Sequence, residues 1–430
     1  MTGTGTGAGA GAGTGLRFAG AAGSRHAPLV QRAAAVIGAA GVCDRVVLHD
    51  ATDRPAAEPM LAAIGLERAG KPSITRLGRG RFTLRYADGS AEAPLAALLA
   101  AATRPGMPIA ADPESLSVLA LAERLAASNI PVLINGPTGT GKEVLSRFIH
   151  DRSPRAGKPF VAINCAAMPE AMLEALLFGH QKGAFTGASA AGEGFFRAAD
   201  GGTLLLDESA EMPLNLQAKL LRALQEGEVV PLGATQPVKV DVRIIACANR
   251  DLPREVEEGR FRADLFYRLN VFPLALRALC ERREDVAPLA FALLLRHTPD
   301  THPVPWLGEA ALAMLVRHSW PGNVRELENV VRRALLLVGG ADEIRPEHIV
   351  FDRPARLIED SAPSPAVSEN GGKLSNIVQM HEARAILDTL DACGGSRVAA
   401  ARELGISERT LRYRLASFRE AGMAVAGGRR

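Results

Sequence analysis

The stretch Pro131–His150, PVLINGPTGTGKEVLSRFIH, decides how the middle of this chain folds. Val132, Leu133 and Ile134 form a short apolar run of the kind a buried strand supplies. The loop Gly136-Pro137-Thr138-Gly139-Thr140-Gly141 follows, and Lys142, Glu143 and the amphipathic pattern VLSRFIH open a helix. Strand, glycine-rich loop and helix in this order are the context that a phosphate-binding Walker A loop requires. Glycines let backbone N–H groups curl around a phosphate, and the helix N-terminus adds partial positive charge. Lys142 is expected to reach the β and γ phosphates of a nucleotide. The generic pattern carries Ser or Thr after the lysine to meet Mg²⁺, and Glu143 stands there instead. A chance turn is the competing reading, and both flanks count against it.

Outward from this loop, PFVAIN, TLLLDE and VRIIACAN are further apolar runs ending in polar groups. Their alternation with helical patterns over residues 111–350 predicts an α/β fold, a parallel sheet covered by helices. TLLLDE ends in Asp207 and Glu208, about 65 residues after Lys142, and suits a Walker B element. Asp207 is expected to hold Mg²⁺, directly or through water, and Glu208 to polarise an attacking water. Asn249 ends VRIIACA, where an amide can orient water or phosphate. Arg262 and Arg268 lie six apart in FRADLFYRLNVFP. Exposed arginines are usually just solvated, but in a ring of ATPases they can reach a neighbour's site as arginine fingers.

The chain has 430 residues, 47% of them apolar, enough for several domains with a large core. No apolar run has the length of a membrane span, and MTGTGTGAGAGAG lacks the zones of a signal peptide. Five scattered cysteines without a C-x-x-C pair indicate neither a disulfide framework nor a zinc site, so a reducing cytoplasm is expected. The net charge of +3 says little about nucleic acid, but residues 396–430 hold eight arginines against three glutamates.

At the N-terminus, residues 1–24 read as a disordered Gly/Ala/Thr tail. Residues 25–110 read as a small α/β module of unknown input, with strands at 45–49 and 81–86 and alanine-rich helices around them. Asp50, after VVLH, invites comparison with a phosphoacceptor, but a lone aspartate at a strand end is more often a turn residue. Residues 352–372 hold prolines and serines and end in Asn-Gly-Gly, which reads as a linker. Residues 373–422 are helical, and SRVAAARELGISERTLRYRLASF within them has helix-turn-helix spacing. Val398, Ala401 and Leu404 give one apolar face, Gly405 permits the turn and Ser407 can cap the second helix. Leu411 and Leu415 face inward. Arg409, Thr410, Arg412, Tyr413 and Arg414, with Ser407, are the candidates for groove and phosphate contacts.

One further segment, GHQKGAFTGA at 179–188, lies between the phosphate loop and the acidic strand end and offers little chemistry. Gly183 and Gly187 supply hinge freedom, Phe185 a large apolar contact and Thr186 a hydroxyl, with Ala184 and Ala188 beside them. An ordinary surface turn is the competing reading, and it leaves a phenylalanine between glycines without explanation.

Taken in order, GPTGTGKE, FVAINCAA, FGHQKGAFTGA, GGTLLLDE, FRADLFYRLNVFPL and WPGNVRELEN resemble the AAA+ domain of bacterial enhancer-binding proteins, the activators of sigma-54 RNA polymerase. The resemblance covers roughly residues 111–350 and implies an AAA+ P-loop sheet with a helical lid at about 280–350. It implies that Glu143 is normal after the lysine, that Asn164 restrains Glu208 as a switch, and that Arg325 of WPGNVREL is a sensor contacting nucleotide. The alternatives are that Asn164 caps its strand and that Arg325 pairs with Glu328. GAFTGA is then the ATP-responsive loop that contacts sigma-54, and the family implies hexameric rings assembled from dimers. Gln181, Arg197 and Cys280 stand where the family commonly has other residues. The C-terminal segment resembles the Fis-type DNA-binding domain, and ISERTLRYRLASFREAGM is similar to flagellar-gene activators of the class. A DNA-binding repressor with a nucleotide-sensing P-loop domain is the alternative, and a metabolic P-loop kinase a third reading.

Overall fold

A computed structural model of the chain describes residues 16–19, 22–40, 46–53, 62–78, 80–185 and 188–351. The chain divides into two units, residues 1–358 and 359–430, and all described residues lie in the first. The expected linker (352–372) and helix-turn-helix (373–422), with Ser407, Arg409, Thr410, Arg412, Tyr413 and Arg414, lie outside the described residues.

The N-terminal module runs β1 (Leu16–Phe18), α1 (Ala22–Arg25), α2 (Ala27–Ala40), β2 (Val46–Asp50), β3 (Ala62–Arg68), β4 (Ser73–Gly78), β5 (Arg81–Tyr86) and α3 (Glu92–Ala102). Its sheet has the order β1-β2-β3-β5-β4, parallel except for the β4–β5 hairpin. Residues 16–18 fall in the stretch expected to be a disordered tail, yet they pair with β2 because Leu16 finds a place in the core. Asp50 behaves as a turn residue. Its Oδ1 accepts from the N–H and hydroxyl of Thr52 at 3.0 and 2.6 Å, and Arg25 reaches its Oδ2 at 3.1 Å.

The central domain contains α4 (Pro113–Ala126), β6 (Val132–Asn135), α5 (Lys142–Asp151), β7 (Phe160–Asn164), α6 (Glu170–Phe178), α7 (Phe195–Ala198), β8 (Thr203–Asp207) and α8 (Leu214–Glu226). It continues with the ribbon β9 (Glu228–Val229) and β10 (Val238–Lys239), then β11 (Arg243–Ala248), α9 (Leu252–Glu257), α10 (Ala263–Leu269) and β12 (Pro273–Ala275). The parallel sheet has the order β12-β6-β11-β8-β7. Because both faces are covered, VLI, TLLL and RIIACA are buried throughout. α4 starts on Asp112, whose carboxylate accepts from Ser115 N at 2.9 Å, with Pro113 in the first turn. It ends under Arg243, a buried guanidinium from β11 that donates to Leu125 O and Ala126 O at 2.8 and 3.0 Å.

The lid holds α11 (Val286–His297), β13 (Trp306–Leu307), α12 (Glu309–Arg317), α13 (Asn323–Leu337) and β14 (Glu343–Ile344). It shares one apolar core with the N-terminal module. Ala93–Ala102 of α3 are all buried, and α3 packs along α11. Arg76 of β4 closes the C-terminus of α11 by donating to Leu295 O and Thr298 O at 2.5 and 3.2 Å. Among the described residues no helix is long and apolar enough to cross a membrane.

Candidate functional site

Parallel strands deliver their C-terminal ends to one sheet edge, and that edge collects the predicted chemistry. Asn135, Asn164, Asp207 and Asn249 end or follow β6, β7, β8 and β11. Asn164 lies opposite Asp207 in the ladder.

The loop Gly136–Gly141 joins β6 to α5 and is bonded by its carbonyls. Lys142 Nζ donates to Gly136 O and Pro137 O at 2.8 and 3.0 Å, and Thr140 Oγ1 to Pro137 O at 2.8 Å. The lid takes the others: Asn323 Nδ2 donates to Thr138 O at 3.0 Å, Val324 N to Gly139 O at 2.9 Å and Arg282 Nη2 to Thr140 O at 2.8 Å. Gly136 N donates to Ala248 O at 3.1 Å and Pro137 has no N–H, so a loop held through its carbonyls keeps the amides of Thr138–Gly141 for an anion. Gly139 has φ +79°, and a Cβ there would lie 2.6 Å from Gly322 O, so only glycine lets α13 approach this closely. Burial draws the Lys142 ammonium below its ordinary range, against the pull of Cys247, Asp207 and Glu208. Glu143 is exposed in the first turn of α5.

Asp207 Oδ1 accepts from Glu208 N at 3.1 Å. Glu208 adopts a left-handed conformation, φ 53°, which costs a residue with a side chain roughly 1–3 kcal/mol and is found where geometry serves function. Asn164 Oδ1 accepts from Ala166 N at 2.8 Å, so its amide caps the turn after β7 in this conformation and no bond to Glu208 is among the described contacts. The buried Oδ1 atoms of Asn135 and Asn249 have no hydrogen-bond partner. Two unpartnered amide oxygens beside a carbonyl-tethered glycine loop fit a site that takes up water along with a phosphate-bearing ligand.

Arg325 is exposed on α13 with its Cβ 3.3 Å from where a Gly139 Cβ would stand. Glu328 is taken by His297 Nε2 at 2.8 Å, and none of the described ion pairs includes Arg325. Arg262 and Arg268 are both exposed on α10 and its cap. Arg262 pairs with Asp264 at 2.7 Å and Arg268 donates to Leu224 O at 3.2 Å. Neither touches its own phosphate loop among the described contacts. Asn323, in the quoted WPGNVREL, and Arg282 were given no role from sequence. Their signal is tertiary, because each meets the loop only after the lid folds back.

The GAFTGA loop follows α6, which begins six residues after Asn164. Gly183 N donates to Ala188 O at 2.9 Å and Ala188 N to Phe185 O at 3.0 Å, while Ala184 N reaches Gln181 O at 3.2 Å. Phe185 is 44% exposed, and Ala188 is buried. Thr186 and Gly187 lie outside the described residues. Of the departures, Gln181 has an exposed side chain, Arg197 lies 3.8 Å from Glu193 one turn earlier, and Cys280 is half-buried.

Three families match in sequence: the Sigma-54 interaction domain over residues 109–275, the AAA+ ATPase lid domain over 280–362 and the bacterial regulatory protein Fis family over 378–418. The response regulator protein FleR of Pseudomonas aeruginosa is 51% identical over 74% of this chain and 71% of its own length. The chain belongs to the sigma-54-dependent transcriptional activators. The transcriptional regulatory protein FlbD of Caulobacter vibrioides is 45% identical to this activator over 77% of the chain and 74% of its own. The structure of NtrX from Brucella abortus in complex with ATP matches it with a TM-score of 0.54 and 27% identity, over 87% of this chain and 89% of that one. The activator is thus an AAA+ protein with a helical lid and a Fis-type DNA-binding domain.

Proposed function

We propose that this activator hydrolyses ATP and uses the cycle to drive its GAFTGA loop against sigma-54, converting a closed promoter complex to an open one. The observation that carries the reading is the convergence of the glycine loop, Asp207, Glu208 and Asn249 on one sheet edge, with the loop joined to that edge through α6.

Within the loop, the N–H groups of Thr138–Gly141 and the Lys142 ammonium bind the phosphates, and Arg325 reaches them from the lid. Glu208 takes a proton from the attacking water, and Asn249 orients it. Asp207 would hold a Mg²⁺ ion arriving with the nucleotide, which would neutralise charge on the phosphates. Asn164 exchanges its turn-capping bond for Glu208 as a switch, and the shift passes along α6 to Gly183–Ala188. ATP is the nucleotide because a relative of the same architecture, NtrX, is known in complex with it.

Arg262 and Arg268 act on a neighbouring copy. Exposed Tyr267, Val271 and Phe272 flank Arg268 and fit burial between subunits of a ring, hexameric when active and dimeric at rest. The Fis-type domain, through Ser407, Arg409, Thr410, Arg412, Tyr413 and Arg414, holds upstream double-stranded DNA in the cytoplasm. Its resemblance to flagellar-gene activators makes flagellar genes the proposed targets, and the N-terminal module the regulatory input.

The test is transcription from a sigma-54 promoter by the purified protein. Open complexes should form with ATP and fail with a non-cleavable analogue. Equal activity with both would reject the reading.

A further inference from the structure

The tip of the GAFTGA loop rests on a side chain with no role in nucleotide chemistry. The rings of Phe185 and His180 lie 5.0 Å apart at 58°. His180 is anchored on both sides of its backbone. His180 N donates to Gly192 O and Gly192 N to His180 O at 3.0 and 2.9 Å, while Gln181 N and Leu232 N tie the flanking residues to the segment before β10, each at 2.9 Å. The imidazole lies against Gly192 so closely that a Cβ there would meet His180 Cε1 at 2.4 Å. Its Nδ1 is buried with no hydrogen-bond partner. A ring pinned at its base and unpartnered at its inner nitrogen works by shape, presenting an aromatic surface to Phe185.

We propose that His180 is a positioning residue, the seat on which Phe185 is parked, and that it withholds the apolar tip from sigma-54 until the nucleotide cycle lifts the loop. The proposal rests on the reading of GAFTGA as the sigma-54-contacting loop. Gly192 belongs to the device because only a residue without a side chain leaves the ring its place. A tilted aromatic pair of this size shifts a parked–lifted equilibrium by about threefold to tenfold.

The experiment uses the full chain with Phe185→Trp as a reporter of tip exposure. Trp306 and Trp320 are 4% and 1% exposed, so acrylamide quenching reads mainly the added indole. Quenching should rise in His180→Ala and stay near the parent value in His180→Phe, which keeps a ring. Gly192→Ala should raise it when His180 is present and leave it unchanged beside His180→Ala. Equal quenching in all backgrounds would overturn the seat. In parallel, without the reporter, purified sigma-54 should bind His180→Ala in the absence of nucleotide about threefold to tenfold more tightly than the parent, with phosphate release unchanged. Parent-like nucleotide dependence in His180→Ala would overturn the withholding role. If sigma-54 bound no variant under any nucleotide while quenching followed the ring, the seat would stand and the reading of the loop would fall.

Discussion

At the scale of single residues, two adjacent carboxylates at the end of β8 are set apart by backbone geometry. Asp207 continues the strand, whereas Glu208 turns left-handed and leaves the ladder. Glu208→Gln removes the proposed base and keeps the shape. It should retain ATP binding while steady-state phosphate release drops by about 100-fold or more, and turnover at the parent rate would exclude Glu208 as the base. Thr186→Ala should hydrolyse ATP near the parent rate yet fail to form open complexes. Loss of hydrolysis there would place coupling and catalysis in the same residue. A third expectation concerns pH. Burial draws the imidazoles of His26, His150 and His318 below their ordinary value of 6.5. The unfolded chain takes up these protons as pH falls through about 6.5, while the folded chain resists them, so stability is complete above that pH and declines below it. The melting temperature should therefore be lower at pH 5 than at pH 7.5, and a flat or rising trend on acidification would contradict the burial argument.

At the scale of elements, the lid and the phosphate loop meet through the N-terminus of α13. Gly139→Ala forces a side chain into 2.6 Å contact with Gly322 O in a left-handed backbone. Nucleotide affinity should weaken at least tenfold, measured by titration with a fluorescent nucleotide, while the far-ultraviolet circular dichroism stays parental. Arg243→Ala tests a different joint. It removes the guanidinium donors from Leu125 O and Ala126 O inside the core, Leu125 O keeping Ser128 N and Oγ at 3.1 and 2.9 Å, a loss of about 1–3 kcal/mol that a denaturant titration can resolve. The elements were unevenly legible. β6, β8 and β11 stood out because a sheet covered on both faces leaves continuous apolar runs. β3 did not: AAIGLER holds two alanines, a glycine and two charged residues, its local propensity is not that of a strand, and its identity comes from burial between β2 and β5. β4 pairs antiparallel with β5, with one buried residue in six and little local signal of its own.

At the scale of the whole molecule, the N-terminal module and the lid fold as one body around a common core. The interface is α3 on α11, with Arg76 closing the helix end and Lys71 paired to Asp342 at 2.7 Å. Removing the module would expose the apolar face of α11. A chain lacking residues 1–104 should be less soluble and melt lower than the full chain, and equal melting would show that the shared core contributes nothing to the lid. The same lid tethers the phosphate loop through Asn323, Val324 and Arg282, so the module is mounted on the part of the protein that holds that loop.

The sequence by itself determined the family and the candidate chemistry. A glycine loop, paired acids and the GAFTGA tip are local patterns, because phosphate binding, metal binding and hinge motion each demand particular side chains at short spacing. The tertiary structure alone decided who holds these parts in place. Asn323 and Arg282 against the loop, His180 beneath Phe185, and α3 along α11 are contacts between distant segments or between rings whose meeting depends on the fold, and close packing rather than composition selects them.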